Sequence, residues 1–260
     1  MTTNVKEKEL IESLARQAGD TLMKHFRRDR ALLKERGTAK EVATKYDKEV
    51  DNLVIAEIKR HYPHHSLLTE ESGSLQAEPD WLWIVDSLDG TGNFANFNPL
   101  FSVCIALMHK RELLLGAVYA PAIDEFYFAE KGEGAYLDGM KIQVSDVSDL
   151  GQSYILYCEG GDKNKVRTGE LLRKVYPHVT DIRKLGSAGL ETAWVAAGKR
   201  EAYFTTRIEP WDVAAGVLLV QEAGGRVSDF QGNPWQPQTS DLLFSNEKLH
   251  ERIRGLLSSK

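Results

Sequence analysis

The first part of the chain has apolar residues at helical spacing. Over residues 6–26 they recur every four positions, with further apolar residues in the neighbouring rows, which is the pattern of an amphipathic helix. The polar stretch 27–45 follows, and a second run with the same spacing begins at Val50. This run ends before Pro63, because proline cannot continue a helix. The pattern therefore predicts two amphipathic helices before residue 63.

The rest of the chain has a different pattern. Its middle contains short apolar or alternating runs separated by Gly, Pro, Asn and Asp, which predicts a largely antiparallel sheet. Beyond residue 150, strand-like runs alternate with helical stretches, which predicts a mixed α/β second half. The predicted strands are 83–85, 102–108, 113–119, 125–129, 153–157, 182–185, 202–205 and 242–245. The later predicted helices are 165–176, 188–197, 213–223 and 246–257.

No repeat, low-complexity tract or long linker interrupts the chain. A compact chain of 260 residues buries roughly 70–75% of its unfolded surface, so it needs no disulfide or metal to fold. We therefore expect an N-terminal α+β lobe over residues 1–145 and a C-terminal α/β lobe over residues 146–260. The two lobes are expected to share an interface and form one compact unit.

Composition narrows the class of protein. The chain has 33 Lys and Arg against 38 Asp and Glu, and its net charge of −5 argues against a nucleic-acid binder. Its first residues have no apolar signal-peptide core, and its longest apolar runs are about half a membrane span. We expect a cytoplasmic protein with no membrane association. Cys104 and Cys158 lack metal-binding spacing and are expected to be reduced, buried thiols.

The most informative local segment is WIVDSLDGTGNF, residues 83–94. It is an apolar strand that ends in Asp86 and Asp89, and two carboxylates at the end of a buried strand repel each other unless one is protonated or a cation lies between them. Oxygen ligands favour Mg²⁺, Mn²⁺ or Ca²⁺. Residues 90–93 then predict a turn that opens a helix, where free N–H groups suit an anion. A solvated turn stays open as the alternative for this spacing alone.

Three further acidic positions have a comparable setting. Glu70 follows a short apolar run, Asp47 is expected at the start of the second helix, and Asp212 precedes a strongly apolar helix. Asp212 also fits an ordinary helix N-cap. Together with Asp86 and Asp89, these positions predict one acidic cluster.

The same segments resemble the inositol monophosphatase family of Mg²⁺-dependent, lithium-sensitive phosphatases, whose wider group includes fructose-1,6-bisphosphatases and bisphosphate nucleotidases. Residues 83–94 are similar to the family signature W-x-V-D-P-x-D-G-T-x-N-F, with Ser87 where proline is common. Residues 209–225, EPWDVAAGVLLVQEAGG, are similar to its second signature. The resemblance covers nearly the whole chain and implies a layered α-β-α-β-α sandwich with the site between two lobes, and a homodimer.

The resemblance also implies roles for individual residues. Two or three Mg²⁺ ions, for which Mn²⁺ can substitute, are implied as cofactors. Their implied ligands are Glu70, Asp86, the main-chain carbonyl of Leu88, Asp89 and Asp212, with Asp47 near a weaker third metal. The implied catalytic residues are Glu70, Asp47 and Thr91, and Thr91 is expected to pair with Glu70 and orient the attacking water. The implied substrate contacts are Asp89, Gly90, Thr91, Gly92, Gly186, Ser187, Ala188, Thr205, Arg207 and Asp212.

Some positions depart from the family pattern or leave alternatives open. Many inositol phosphatases carry a glutamate at the position of Thr205, and threonine cannot replace that charged acceptor, which puts strict inositol specificity in doubt. Arg207 could contact a second phosphate, although an ion pair with Glu209 is favoured. The segment 186–188 could also be a plain helix start. The loop before Thr44, with Arg36 where lysine is common, is expected to close over the phosphate.

These observations predict a Mg²⁺-dependent phosphomonoesterase that acts on inositol-1-phosphate or a related small polyol phosphate. The alternative keeps the chemistry and changes the substrate to fructose-1,6-bisphosphate, histidinol phosphate or a 3′,5′-bisphosphate nucleotide. A regulatory or RNA-processing partner is a more remote alternative, because every implied metal ligand is present. No nucleotide-binding glycine motif points to an ATPase or dehydrogenase.

Overall fold

The computed structural model describes residues 5–26, 39–75, 78–159 and 165–258. These residues contain seven α-helices and thirteen strands. The helices are α1 Val5–His25, α2 Ala39–His61, α3 Thr91–Ala95, α4 Lys165–Val175, α5 Ala188–Ala196, α6 Pro210–Glu222 and α7 His250–Ser258.

Eight strands form the first sheet, in the order β2-β1-β3-β4-β5-β6-β7-β8. Only β1 and β3 are parallel; all other neighbours in this sheet are antiparallel. The antiparallel sheet predicted for the middle of the chain is therefore confirmed. Its strands are β1 His65–Thr69, β2 Gly73–Leu75, β3 Glu78–Asp89, β4 Ser102–His109, β5 Glu112–Ala120, β6 Glu125–Glu130, β7 Gly134–Leu137 and β8 Met140–Lys141.

Five strands form the second sheet, in the order β10-β9-β11-β13-β12. Strands β9, β10 and β11 are parallel, and β13 runs antiparallel to both of its neighbours. These strands are β9 Tyr154–Glu159, β10 Asp181–Arg183, β11 Ala202–Thr206, β12 Gly225–Asp229 and β13 Leu242–Asn246.

The helices complete a five-layer sandwich. Helices α1 and α2 pack on one face of the first sheet, whereas α5 and α6 fill the space between the two sheets. Helices α4 and α7 cover the outer face of the second sheet. Because a strand buried on both faces needs apolar residues at nearly every position, residues 81–85 of β3 and 103–108 of β4 form continuous apolar runs. The layered α-β-α-β-α architecture that the resemblance implies is confirmed, and the two-lobe division stays a prediction.

Several elements differ from the sequence prediction. Strands β1, β2, β7, β8 and β12 were not predicted, and β3 begins at Glu78 and not at Trp83.

Some helices also begin elsewhere. Helix α2 begins at Ala39, well before Val50. Val42, Ala43 and Tyr46 already have the helical spacing that Val50 continues, and the prediction missed it because charged residues lie between them. Helix α7 begins at His250 and not at Asn246, because Asn246 still belongs to β13. None of the helices in the described ranges is long and apolar enough to cross a membrane.

We expect the buried side chain of His250 to make the stability of the fold depend on pH. Its ring is fully buried, with its nitrogens 2.8 Å from the hydroxyl oxygens of Ser228 and Ser245. Burial, and then the charge of Arg226, lower the pKa of His250 to about 4. The unfolded chain therefore binds more protons than the fold between about pH 6.5 and pH 4. We expect about 3 kcal/mol of unfolding free energy to be lost as the pH falls through this window.

Denaturant unfolding at pH 7 and pH 4.5 measures this loss. Between pH 7 and pH 4.5, His250→Asn should lose less unfolding free energy than the unmodified protein, because all other groups titrate in both proteins; the exposed His178→Asn should behave like the unmodified protein. Equal pH dependence in the His250 variant would show that the buried ring is not its source.

Candidate functional site

Three acidic side chains from three different elements converge at one edge of the first sheet. Strands β1 and β3 are parallel, so their carboxyl ends meet at the same edge. Glu70 follows β1, Asp86 lies near the end of β3, and Asp212 lies in the first turn of α6. One carboxylate oxygen from each of the three lies within 4.8 Å of the others.

Strand alternation explains why Asp86 points towards Asp212. Trp83 and Val85 pack on the side of α1 and α2, and Ile84 packs on the side of α5 and α6. Successive side chains of a strand alternate between faces, so Asp86 lies on the same side as Ile84. Asp86 is almost completely buried, and one of its oxygens accepts the N–H of Leu88 at 3.0 Å.

Asp89 caps a helix that is distant in sequence. Its carboxylate accepts the N–H groups of Ala188 and Gly189, both at 2.9 Å, at the start of α5. It also accepts the hydroxyl groups of Ser102 at 2.8 Å and Ser187 at 2.5 Å. The positive end of the α5 dipole therefore faces this carboxylate. Asp89 joins the first sheet to the beginning of α5.

Asp212 has a different place in its helix from the one predicted. Helix α6 begins at Pro210 with Glu209 as its N-cap, so Asp212 is the third helical residue. Its carboxylate accepts the N–H of Glu209 at 3.0 Å, as the third residue of a capping box does. The N-cap interpretation of Asp212 is therefore wrong, because Pro210 and the capping box start the helix earlier.

Asp47 also lies elsewhere than expected. It is in the third turn of α2 and not at its start, and it is almost completely buried. Its Oδ1 atom has no hydrogen-bond partner among the described residues. Burial, and then the charge of Glu70, raise the pKa of Asp47 to about 8.

The cluster is electrostatically unfavourable by itself. Burial raises the pKa of Glu70 to about 7 and that of Asp212 to about 8, with Asp89 as the largest repelling charge in both cases. Burial, and then Asp89, raise the pKa of Asp86 well above its usual range. The pKa of Asp89 is also raised by burial, although its four hydrogen bonds oppose this. These groups cannot all ionise near neutral pH unless positive charge joins them.

The residues fit a hard divalent cation. The donors are all oxygen atoms, and the three carboxylates are close enough to share an ion. Buried Asp47, whose Oδ1 has no hydrogen-bond partner among the described residues, is close enough to Glu70 for its pKa to be raised by burial and by that charge. Oxygen-only sites of this kind suit Mg²⁺ or Mn²⁺.

A glycine turn follows the acidic strand. Gly90 has φ +90° and precedes the five-residue helix α3. A side chain there would lie 3.1 Å from the carbonyl oxygen of Gly186 and 3.2 Å from that of Leu100, so only glycine fits. The predicted turn is confirmed. The hydroxyl of Thr91 donates to the carbonyl of Leu88 at 3.1 Å, and its pairing with Glu70 stays a prediction.

The remaining predicted substrate contacts lie at the carboxyl ends of the parallel strands of the second sheet. Gly186 (φ +84°) and Ser187 connect β10 to α5, and Ser187 is the N-cap. Thr205 is fully buried in β11, opposite Cys158 of β9. The backbone N–H of exposed Arg207 donates to Asp241 at 3.1 Å. Within the described residues its guanidinium makes no ion pair with Glu209, so the favoured pairing is wrong. The loop before Thr44, including Arg36, lies outside the described residues.

Sequence reasoning missed two buried carboxyl groups near the cluster. Asp51 accepts hydroxyl hydrogens from Ser72 at 2.6 Å and Thr69 at 3.2 Å, on either side of Glu70. Glu191 of α5 is fully buried behind the loop that contains Gly186. Asp51 falls on the buried face of α2, four residues after Asp47, and that spacing was the available signal.

Comparison with known proteins supports one family. The model of the inositol monophosphatase family matches residues 6–260. A fructose-1,6-bisphosphatase/inositol-1-monophosphatase of Thermotoga maritima is 36% identical over 241 residues, which cover 92% of this chain and 91% of that protein. The Nus factor SuhB of Escherichia coli is 34% identical over 248 residues, which cover 94% and 92%. The inositol monophosphatase structure from Anabaena (Nostoc) sp. has a TM-score of 0.87 at 31% identity, covering 98% and 96%.

Proposed function

The chain belongs to the inositol monophosphatase family, and on that premise we propose that it is a Mg²⁺-dependent phosphomonoesterase. Its proposed substrate is inositol-1-phosphate or a related small sugar or polyol phosphate, hydrolysed by an activated water molecule. The observation that carries the proposal is the convergence of Glu70, Asp86 and Asp212 within 4.8 Å.

Different residues of the chain are proposed to bind the cations, to orient the attacking water and to contact the phosphate. Glu70, Asp86, Asp89, Asp212 and the carbonyl of Leu88 would hold divalent cations, with Asp47 near a third. Cations held there would neutralise phosphate oxygens and lower the pKa of the attacking water. Thr91 and Glu70 would orient that water. The backbone of residues 90–92, which only glycine at position 90 allows, would face the phosphate.

A substrate panel tests the proposal. Phosphate release is measured from inositol-1-phosphate, glycerol-2-phosphate, fructose-1,6-bisphosphate, adenosine 3′,5′-bisphosphate and histidinol phosphate. Each is assayed with Mg²⁺, with Mg²⁺ plus Li⁺, and with Asp89→Asn as the inactive control. Mg²⁺-dependent release supports a phosphatase, and no release from any substrate contradicts it.

Glu70→Gln should lower kcat by about 10²-fold or more, because the side chain is expected to act on both cation and water. KM should change far less. The matched control is Glu71→Gln. Glu71 is the neighbouring acid in the chain, its Oε2 atom lies 3.7 Å from Nζ of Lys48, and it is not one of the three converging carboxylates. An effect of Glu70→Gln on KM alone would contradict its role in catalysis.

A bisphosphate substrate is the second candidate. The observation that favours it is the neutral, fully buried Thr205 at the position where a charged acceptor recognises the inositol ring in many relatives. The name of the Thermotoga maritima relative includes fructose-1,6-bisphosphatase. A preference for a bisphosphate in the panel would point to Arg207, whose guanidinium is free of Glu209, as the second-phosphate contact.

A regulatory role is supported only by the names of the SuhB relatives. The acidic cluster is complete in this chain, which favours catalysis. If Asp89→Asn abolished phosphate release and kept the cellular role, the regulatory function would be independent of catalysis. The homodimer implied by resemblance stays a prediction.

A further inference from the structure

Glu191 carries a carboxyl group into the buried helix α5. It is fully buried, and its Oε1 atom accepts the backbone N–H of Leu185 at 2.6 Å and of Gly186 at 3.3 Å. Its Oε2 atom has no hydrogen-bond partner in the described part of the chain. A buried carboxyl group is unfavourable unless it is hydrogen-bonded, so its bonds to this loop offset the cost of placing it here.

The hydrogen bonds of Glu191 differ from ordinary helix capping. In a capping box, a side chain in the first turn bonds to the N-cap residue. Glu191 is the fourth residue of α5 and reaches past the N-cap Ser187 to the two residues before it. The N–H group of Ser187 is therefore not its target. The carboxyl group holds the loop that leads into the helix.

Asn93 holds the same loop from the opposite side. Its side-chain amide donates to the carbonyl of Leu185 at 2.7 Å and to the carbonyl of Leu100 at 2.5 Å. Leu185 is therefore held at its N–H by α5 and at its carbonyl by α3. Gly186 has φ +84°, and a side chain there would lie 3.2 Å from the amide nitrogen of Asn93. The loop 185–187 is fixed between two elements of different layers.

This loop is in direct contact with both parts of the candidate site. Its last residue, Ser187, donates to the carboxylate of Asp89, and the next two N–H groups do the same. Its Gly186 carbonyl lies against Gly90, the residue that opens the glycine turn. A shift of the loop would therefore move the donors of Asp89 and the packing of Gly90 together.

We propose that Glu191 is a positioning residue that sets the orientation of Asp89 and of the Gly90 turn through the loop 185–187. It is not among the three carboxylates that converge in the candidate site. The proposal deepens the proposed function, on which it rests where turnover is concerned, but the geometry at Asp89 can be measured without turnover. Burial raises the pKa of Glu191 well above its usual range. Glutamine should replace it, because its amide oxygen can accept the N–H groups of Leu185 and Gly186 that Oε1 accepts.

The test compares Glu191→Leu with Glu191→Gln. Leucine retains most of the buried volume but leaves the N–H groups of Leu185 and Gly186 without an acceptor. Mn²⁺ binding is measured by electron paramagnetic resonance of the free ion, without substrate. Removing an outer partner of a metal site typically costs 10–100-fold in affinity, and we expect a loss of about tenfold or more for the leucine variant. We expect less than about threefold for the glutamine variant, as rescue by the conservative change.

A matched control separates positioning from loss of stability. Val195 lies one turn further along α5 and is also fully buried, but it does not contact the loop 185–187 through a side-chain hydrogen bond. Val195→Ala should lower the melting temperature and leave Mn²⁺ binding unchanged. If Glu191→Leu does not fold, Asn93→Ala takes its place. This variant removes the hydrogen bond that holds the loop 185–187 from α3, and it should also weaken Mn²⁺ binding.

Three outcomes would overturn the proposal: unchanged Mn²⁺ binding in Glu191→Leu, an equal loss in Glu191→Gln, or a loss in Val195→Ala as large as in the leucine variant. Unchanged binding in Asn93→Ala would overturn it where the leucine variant does not fold. If the unmodified protein hydrolyses no phosphate ester but its Mn²⁺ binding still depends on Glu191, the proposed function fails and the positioning role stands.

Discussion

Asp86→Asn is expected to abolish Mg²⁺-dependent turnover and to raise the melting temperature of the metal-free protein. Asp86 is almost completely buried in the strand that ends at the acidic cluster, and asparagine can still accept the N–H of Leu88 through Oδ1. The fold should therefore persist. Loss of a cation ligand should reduce kcat at least about 10³-fold, because the cations are expected to supply most of the charge stabilisation.

The increase in stability follows from the direction of the pKa shift. The pKa of Asp86 is raised above its unfolded value by burial and by the neighbouring charges of Asp89 and Glu70. A raised carboxyl pKa means that the fold binds more protons than the unfolded chain, so stability is lost as the pH rises. Asparagine removes this loss, and melting with a chelator at pH 8 measures the gain.

Asp229→Asn is the control, because the pKa of Asp229 is shifted in the opposite direction from that of Asp86. Burial raises the pKa of Asp229, but hydrogen bonds from Asn233, Gln231 and Gly232 outweigh it and hold the pKa below the ordinary value. Its charge therefore stabilises the turn after β12. Asparagine there should leave turnover unchanged and should not raise the melting temperature. Retained turnover in Asp86→Asn would remove Asp86 from the mechanism, and an unchanged melting temperature would show that its charge is not costly.

Local patterns were sufficient for much of the fold. The periodicity of helix α1 and the apolar or alternating runs of strands β3 to β6 were sufficient to predict these elements, as was the continuous apolar run of α6. Strands β1, β2, β7, β8 and β12 were not predicted. The start of α2 was missed although Val42 and Tyr46 have helical spacing, because charged residues lie between them. Asp47 was consequently placed at a helix start, although it lies in the third turn.

The parts of the site that depend on contacts between residues distant in sequence could not be predicted from the sequence. The aspartate spacing in residues 83–94 predicts a cation, but nothing local indicates that Asp89 caps a helix beginning 99 residues later. Glu191 illustrates the same limit, because a glutamate in a short helix is normally exposed. Its role depends on Asn93 holding the other side of Leu185, and that pairing exists only once the layers are stacked.

Cation binding is expected to tighten strongly with pH. The pKa values of Glu70, at about 7, and of Asp212 and Asp47, at about 8, mean that the metal-free cluster retains protons near neutrality. A carboxylate must be ionised to bind a cation, so binding releases these protons. Each displaced proton changes the apparent affinity about tenfold per pH unit. We expect Mg²⁺ to bind roughly 10²-fold or more tightly at pH 8 than at pH 6.

Calorimetric titration in buffers of different ionisation enthalpy counts the protons released. Asp47→Asn removes one carboxyl group whose pKa is raised. This variant should release fewer protons when Mg²⁺ binds, and its Mg²⁺ affinity should depend less steeply on pH. The metal-free protein should lose stability between pH 6 and pH 8, and saturating Mg²⁺ should remove that loss, because the cation replaces the protons as the positive charge in the cluster. An affinity that is constant across this range, with no proton release, would mean that the carboxylates are already ionised. The burial and mutual repulsion of these side chains would then not be the force that recruits the cation.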